Sequence, residues 1–118
     1  MSRRRKDLGD WGEAEAARLL EAKGYGILRR NLRTALGEID LLVRDRDTLV
    51  FVEVKAMERV EHGQHPAENV HAAKRARLRR AARAYLAGLD REPLCRFDVV
   101  TLVREPRLQL EHYPGAFT

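Results

Sequence analysis

One stretch, Gly37 to Lys55, constrains the rest of the chain: GEIDLLVRDRDTLVFVEVK. Two apolar runs, Ile39 to Val43 and Leu49 to Val54, flank a polar segment at 44–48. Both runs have strand length and are rich in Val, Ile and Phe, which predicts a β-hairpin. With the turn centred between Arg46 and Asp47, Asp40 faces Glu53 and Glu38 faces Lys55. Directly opposed Cβ atoms lie about 5 Å apart, so one face sets two carboxylates side by side. Lys55 shares the face of Glu53, because side chains alternate along a strand. The other face carries Ile39, Leu41, Val43, Val50, Val52 and Val54, an apolar surface that must be covered. A slip of one residue would carry Asp40 to the wrong face.

Like charges opposed across a sheet destabilise it, so the acid pair needs something between its members. A divalent cation is one answer, since Mg²⁺ takes oxygen ligands in octahedral geometry and keeps several waters. The other is that Asp40 and Glu53 are solvated, or paired with Lys55 and nearby arginines.

A chain of 118 residues, 44% hydrophobic, suits one α/β domain. We place it at 7–118, behind a basic, flexible arm at 1–6. No run approaches the roughly 20 apolar residues of a membrane span, and no apolar segment follows the basic N-terminus as a signal peptide requires. Cys95 is the single cysteine, which excludes an internal disulfide, fits a cytoplasmic protein and is expected in or beside the core. His62, His65, His71 and His112 do not combine with Cys95 into a zinc-ligand spacing. The formal net charge is +5, and 19 of the 23 basic residues are Arg. Arg is planar, permanently charged and bidentate toward phosphate, which favours a nucleic-acid partner.

Residues 8–23 read as a first helix ending at Gly24. Glu13 precedes Ala16, Ala17 and Leu20 by three, four and seven residues and so lies on their apolar stripe. An acid there is paired, bound to metal, or at the stripe's edge reaching water. A short strand at 25–31 leads into a polar turn, with Arg29, Arg30 and Arg33 close by. After the hairpin, 56–66 reads as a polar loop. A second helix at 67–87, with a break near Val70 and His71, has an apolar stripe of Leu78, Ala81, Ala82, Tyr85 and Leu89. Lys74 continues that stripe one turn earlier. Lys74, Arg75, Arg77, Arg79, Arg80 and Arg83 form a track for backbone phosphates, or a solvated basic face. Strands at 96–103 and 108–112 follow, and Asp98 in the first reads as a partner for an Arg. Phe117, in the tail, is expected to tuck against the sheet. The second hairpin strand, the basic helix and the strand at 97–103 make a crossover, expected to be parallel. The whole is a mixed sheet flanked by helices.

An acid on an early helix, an Asp, then Glu-x-Lys on the next strand and a basic helix resemble the PD-(D/E)XK nuclease superfamily. The phrases GEIDLLVRD, TLVFVEVK, KRARLRRAARAYL and RFDVV resemble more closely the YraN-like family of bacterial proteins, themselves similar to archaeal Holliday-junction resolvases. The resemblance spans residues 9–117. It implies a restriction-endonuclease-like core in α-β-β-β-α-β-β order. Asp40 matches the first acid of the motif, Glu53 the second, Lys55 the lysine and Glu13 the helical acid of the resolvases. Ile39 stands where the motif's proline would be, a position at which many members lack it.

The implied chemistry is phosphodiester hydrolysis with Mg²⁺ or Mn²⁺ held by Asp40, Glu53 and Glu13, and with the Val54 carbonyl as a further ligand. Lys55 would orient the attacking water or offset charge on the phosphate. Lys74, Arg77, Arg80, Arg29, Arg30 and Arg33 would hold the nucleic acid, DNA in preference to RNA, without reading sequence. Resolvases act as dimers on two-fold symmetric junctions, so a homodimer is implied. The alternative functions are a catalytically silent nucleic-acid-binding module of the same fold and a docking face for an acidic protein.

Overall fold

In the computed structural model, residues 3–60, 64–66 and 72–118 are described. The hairpin forms in the register that its turn requires. Strand β2 (Gly37–Asp45) pairs antiparallel with β3 (Thr48–Met57) from Asp45↔Thr48 to Leu41↔Val52. Arg46, in the two-residue turn, takes a positive φ of 58°, as a tight hairpin demands. Strand β1 (Gly26–Thr34) lies on the far side of β2. Strand β4 (Leu94–Val103) runs parallel to β3, and β5 (Gln109–Phe117) closes the far edge antiparallel to β4. The sheet order is β1-β2-β3-β4-β5, a mixed five-stranded sheet. The element order is the expected one, and the parallel crossover from β3 to β4 is present.

The two helices cover opposite faces. Helix α1 (Arg3–Ala22) buries Ala16, Ala17 and Leu20 against Leu41, Val43, Val50, Val52, Val100 and Leu102. It ends in a Schellman turn: Gly24, at φ 93°, donates to the Glu21 carbonyl and Tyr25 to the Leu20 carbonyl. Gly12 is what lets α1 lie so close. A Cβ on it would stand 2.5 Å from the Ala56 Cβ. Helix α2 (Ala72–Leu86) buries Leu78, Ala81 and Ala82 on the other face, against Leu32, Ile39, Leu42, Leu49 and Phe51.

Several expectations change. Helix α1 begins at Arg3, earlier than the expected start at residue 8. Gly9 is a weak helix former within this run, but the helix carries through it, and Lys6 and Asp10 pair across one turn at 2.9 Å. Strand β1 runs on to Thr34 through the segment read as a turn. Strand β5 takes in the presumed tail, where Phe117 stacks on Phe97 with ring centroids 5.1 Å apart. Ile39 leaves the apolar set of Leu41 and Val43 and joins the α2 core. The cause lies beside it. Asn31, between the Arg30↔Leu41 and Leu32↔Ile39 pairs, sits at φ 50°, a left-handed conformation that Asn tolerates and that breaks strand alternation. Leu89 lies beyond the end of α2 and is exposed. Cys95 is exposed, its thiol facing the Pro93 carbonyl, because it stands near the start of β4 outside both cores. His62, His71 and the expected break near Val70 lie outside the described residues.

Candidate active site

The ladder between β2 and β3 stops one step short of Asp40 and Glu53. There the strands part, and Asp40 Oδ2 accepts the Val54 N–H at 2.9 Å. A side chain thus takes the place of a backbone partner, and that bond locks the Asp40 carboxylate to the strand carrying Glu53 and Lys55. Burial raises the Asp40 carboxyl to about 7, and repulsion from Glu53 adds to the effect, with Glu13 and Glu38 contributing. Burial also raises Glu53, opposed by Lys74, whose ammonium lies 3.5 Å from Glu53 Oε1. Lys55 is lowered by burial and by repulsion from Lys74, against the attraction of Glu53.

Helix α1 brings Glu13. Burial raises it too, while a hydrogen bond from the Asn31 side chain steadies its charged form. The left-handed bend at Asn31 therefore has a second consequence, since it presents that amide to the helical acid. Glu13, Lys55 and Lys74 line one cavity of about 420 Å³ with Arg5, Leu8, Gly9, Val54 and Ala56. It opens between the N-terminal half of α1, the first turn of α2 and the end of β3. Ala56, on which Gly12 rests, forms part of its wall.

The residues singled out from sequence thus divide. Asp40, Glu53, Lys55, Glu13 and Lys74 come within mutual electrostatic reach. Arg77 faces Glu53 closely enough to act on its charge, whereas Arg80 is exposed on α2 and Arg29, Arg30 and Arg33 are exposed on β1. Glu38 is exposed and pairs across β1 with Arg33, while Lys55 faces the cavity. Among the described residues, no three His, Cys, Asp or Glu side chains are gathered closely enough to hold an ion as a group.

The uncharacterised protein family UPF0102 matches residues 12–102. The chain belongs to that family. A UPF0102 protein of Syntrophotalea carbinolica is 46% identical over 121 residues, covering 99% of this chain and 96% of its own. One from Symbiobacterium thermophilum is 48% identical over 120 residues, with 99% and 98% covered. The span matched to UPF0102 takes in Glu13, Asp40, Glu53, Lys55 and Lys74. No helix among the described residues of this UPF0102 chain is long and apolar enough to cross a membrane.

Three residues that shape this candidate site were missed in the sequence. Arg5 looked like part of an arm, and only the length of α1 brings it to the cavity. Gly12 and Asn31 carry no local sign of what they touch, though a Gly inside a helical pattern hints at close packing. Asp98 is bound as read, to an Arg. It accepts from Arg96 Nε at 2.8 Å and Nη2 at 3.0 Å, from the Gly115 N–H at 2.9 Å, and it meets His112 Nε2 at 2.7 Å. Arg96 also donates to Asp45 and to the Tyr25 hydroxyl. This buried network ties β4 to β5, to the hairpin turn and to the end of α1, on the face opposite α2.

Proposed function

We propose that this chain is a metal-dependent nuclease with a restriction-endonuclease-like core, hydrolysing phosphodiester bonds in DNA. The observation that carries the reading is the meeting of Asp40 and Glu53 where β2 and β3 part. Burial holds back the charge of both, Lys55 follows on the same strand, and two helices add Glu13 and Lys74. The donor set suits a hard divalent cation, which binds through one or two carboxylates and completes its shell with water. When bound, such an ion supplies a water of lowered pKa.

The chain's own groups do the rest. Asp40 is fixed by the Val54 N–H, so its second oxygen keeps a set direction. Lys55, with its proton held less tightly than a free lysine's, orients a nucleophile or offsets charge on a phosphoryl oxygen. Glu13 orders water at the cavity wall. Lys74 swings between Glu53 and a substrate phosphate, while Arg5, Arg77, Arg80, Arg29, Arg30 and Arg33 supply affinity that ignores sequence. Branched DNA is the preferred substrate by similarity to the resolvases, and a homodimer would place two sites on a two-fold junction.

The test is a cleavage panel of branched, flapped, nicked, single-stranded and duplex DNA with Mn²⁺ or Mg²⁺, run beside Asp40→Ala. Cleavage of one form by the wild type, lost in the variant and in chelator, is expected. A wild type that cuts no form with either metal sinks the proposal. One observation favours a second reading. Lys74 already supplies Glu53 with a cation at 3.5 Å, as a silent nucleic-acid-binding module would need. Salt-sensitive binding unchanged in Asp40→Ala, with no turnover, selects that reading.

A further inference from the structure

Helix α2 packs over β1, β2 and β3. Beyond it on the same face, a second cavity of about 420 Å³ opens over β4 and β5, within the ~300–1,000 Å³ range of ligand pockets. Its walls include Arg75, Val99, Tyr113, Pro114, Ala116 and Phe117. The backbone register connects it to the acid site. Glu53 pairs with Val99, and Val99 pairs with Tyr113. Paired residues share a face, and neighbouring strands lie about 4.8 Å apart, so Tyr113 stands about 10 Å from Glu53 along one row.

The lining is aromatic and cationic together. Phe117 is stacked on Phe97, and the guanidinium groups of Arg75 and Arg79 each lie 5.8 Å from its ring centroid. Tyr113 is half-buried, and His65 approaches its ring edge-on at 5.9 Å. Gly115, at φ 59°, donates to the buried Asp98, which pins the bulge between the two aromatic residues. The pocket is therefore held from beneath by the Asp98 network. Flat rings beside guanidinium planes receive nucleobases, because every base offers a π-face and the cations offset its phosphates.

We propose that this pocket stacks an unpaired nucleobase of the strand whose phosphodiester lies at Asp40 and Glu53. The inference rests on the nuclease reading and specifies its substrate class: the bound strand has at least one base out of a duplex near the cut. A separation of about 10 Å, two strand spacings, is within reach of a single strand, so the captured base lies close to the scissile phosphate. A fully paired duplex cannot fill the pocket without extruding a base, which costs a few kcal/mol.

The test uses the full chain in metal-free buffer. It measures binding of single-stranded and duplex oligonucleotides, together with a series of flap substrates in which one abasic position is walked along the single-stranded flap from a fixed junction. The wild type should prefer the single strand. One abasic position should weaken it by about 5- to 100-fold, the range that stacking of one base gives, and 2-aminopurine at that position should be quenched on binding. Tyr113→Ala should lose that positional effect and Tyr113→Phe should keep it. A flat abasic profile in the wild type, with tight binding otherwise, overturns the pocket and leaves the nuclease reading standing. So does a folded Tyr113→Ala protein that keeps both the profile and the quench. A wild type that binds no nucleic acid overturns both together.

Discussion

Asp40 holds its proton to about pH 7 because burial and Glu53 both oppose its charge. Its unfolded value is near 3.8, so the folded state binds that proton more tightly. The stability this gives to metal-free protein is full below the unfolded value and is lost as pH rises through about 7. Burial of Glu13 and Glu53 acts in the same direction. Asp40→Asn, which stays neutral, should flatten the decline between pH 5 and pH 8 and melt higher than the wild type at pH 8. Melting curves at the two pH values check this, and equal slopes in both proteins would refute it. Added Mn²⁺ should raise the melting temperature of the wild type at pH 8 and leave that of Asp40→Asn unchanged. Asp98 behaves oppositely. Burial alone would raise it, but His112, Arg96 and the Gly115 N–H outweigh burial and hold it below the usual range. Its contribution is present above the unfolded carboxylate value and fades as pH falls below it.

At the scale of elements, two joints hold the site together. Gly12 lets α1 rest on β3 at Ala56, and the next residue of the helix is Glu13. Gly12→Ala should cost about 1–3 kcal/mol, as overpacking does, and draw Glu13 away from the cavity. Ala56→Gly removes the atom that clashes, so the double variant should recover most of the loss in urea denaturation. Additive losses would show that the contact is not the cause. The second joint is the Asp98 network between β4, β5 and the hairpin turn. Asp98→Ala removes the buried acceptor shared by Arg96, His112 and the Gly115 N–H, leaving Arg96 only Asp45 and Tyr25, and should cost about 3–5 kcal/mol, read from the same denaturation curves. It should also blunt the abasic profile, because Gly115 no longer pins the bulge between Tyr113 and Phe117.

Across the whole molecule, charge is divided by place. The acids gather inside, at Glu13, Asp40 and Glu53, while exposed arginines on β1 and α2 face outward. On the proposed nuclease reading, a net charge of +5 carried mainly by Arg would draw a phosphate backbone from outside toward the acids. Arg77→Ala and Arg80→Ala should each weaken binding to all sequences alike. For duplex DNA, each lost phosphate contact should reduce the slope of log affinity against log salt by about 0.9. Binding titrations over a salt series check this. An unchanged slope would remove α2 from the interface.

The hairpin was legible in the residues alone because its turn and its period are local. Two strands of Val, Ile and Phe around a two-residue turn leave one register, and that register sets Asp40 beside Glu53 with Lys55 following. The α1 stripe, the α2 stripe and the parallel crossover followed from the same kind of spacing. Ile39 escaped because alternation fails at Asn31, whose φ of 50° is open to Asn but not dictated by it. The reach of Arg5, the contact of Gly12 with Ala56 and the stacking of Phe117 on Phe97 join residues far apart in the chain. No period encodes such distances, and only the docking of two helices and an edge strand on one sheet brings them together. Sequence by itself determined which groups could do chemistry. Tertiary packing decided which of them are gathered and desolvated together, because burial, and the loss of water that raises Asp40 and Glu53, exists only once both faces of the sheet are covered.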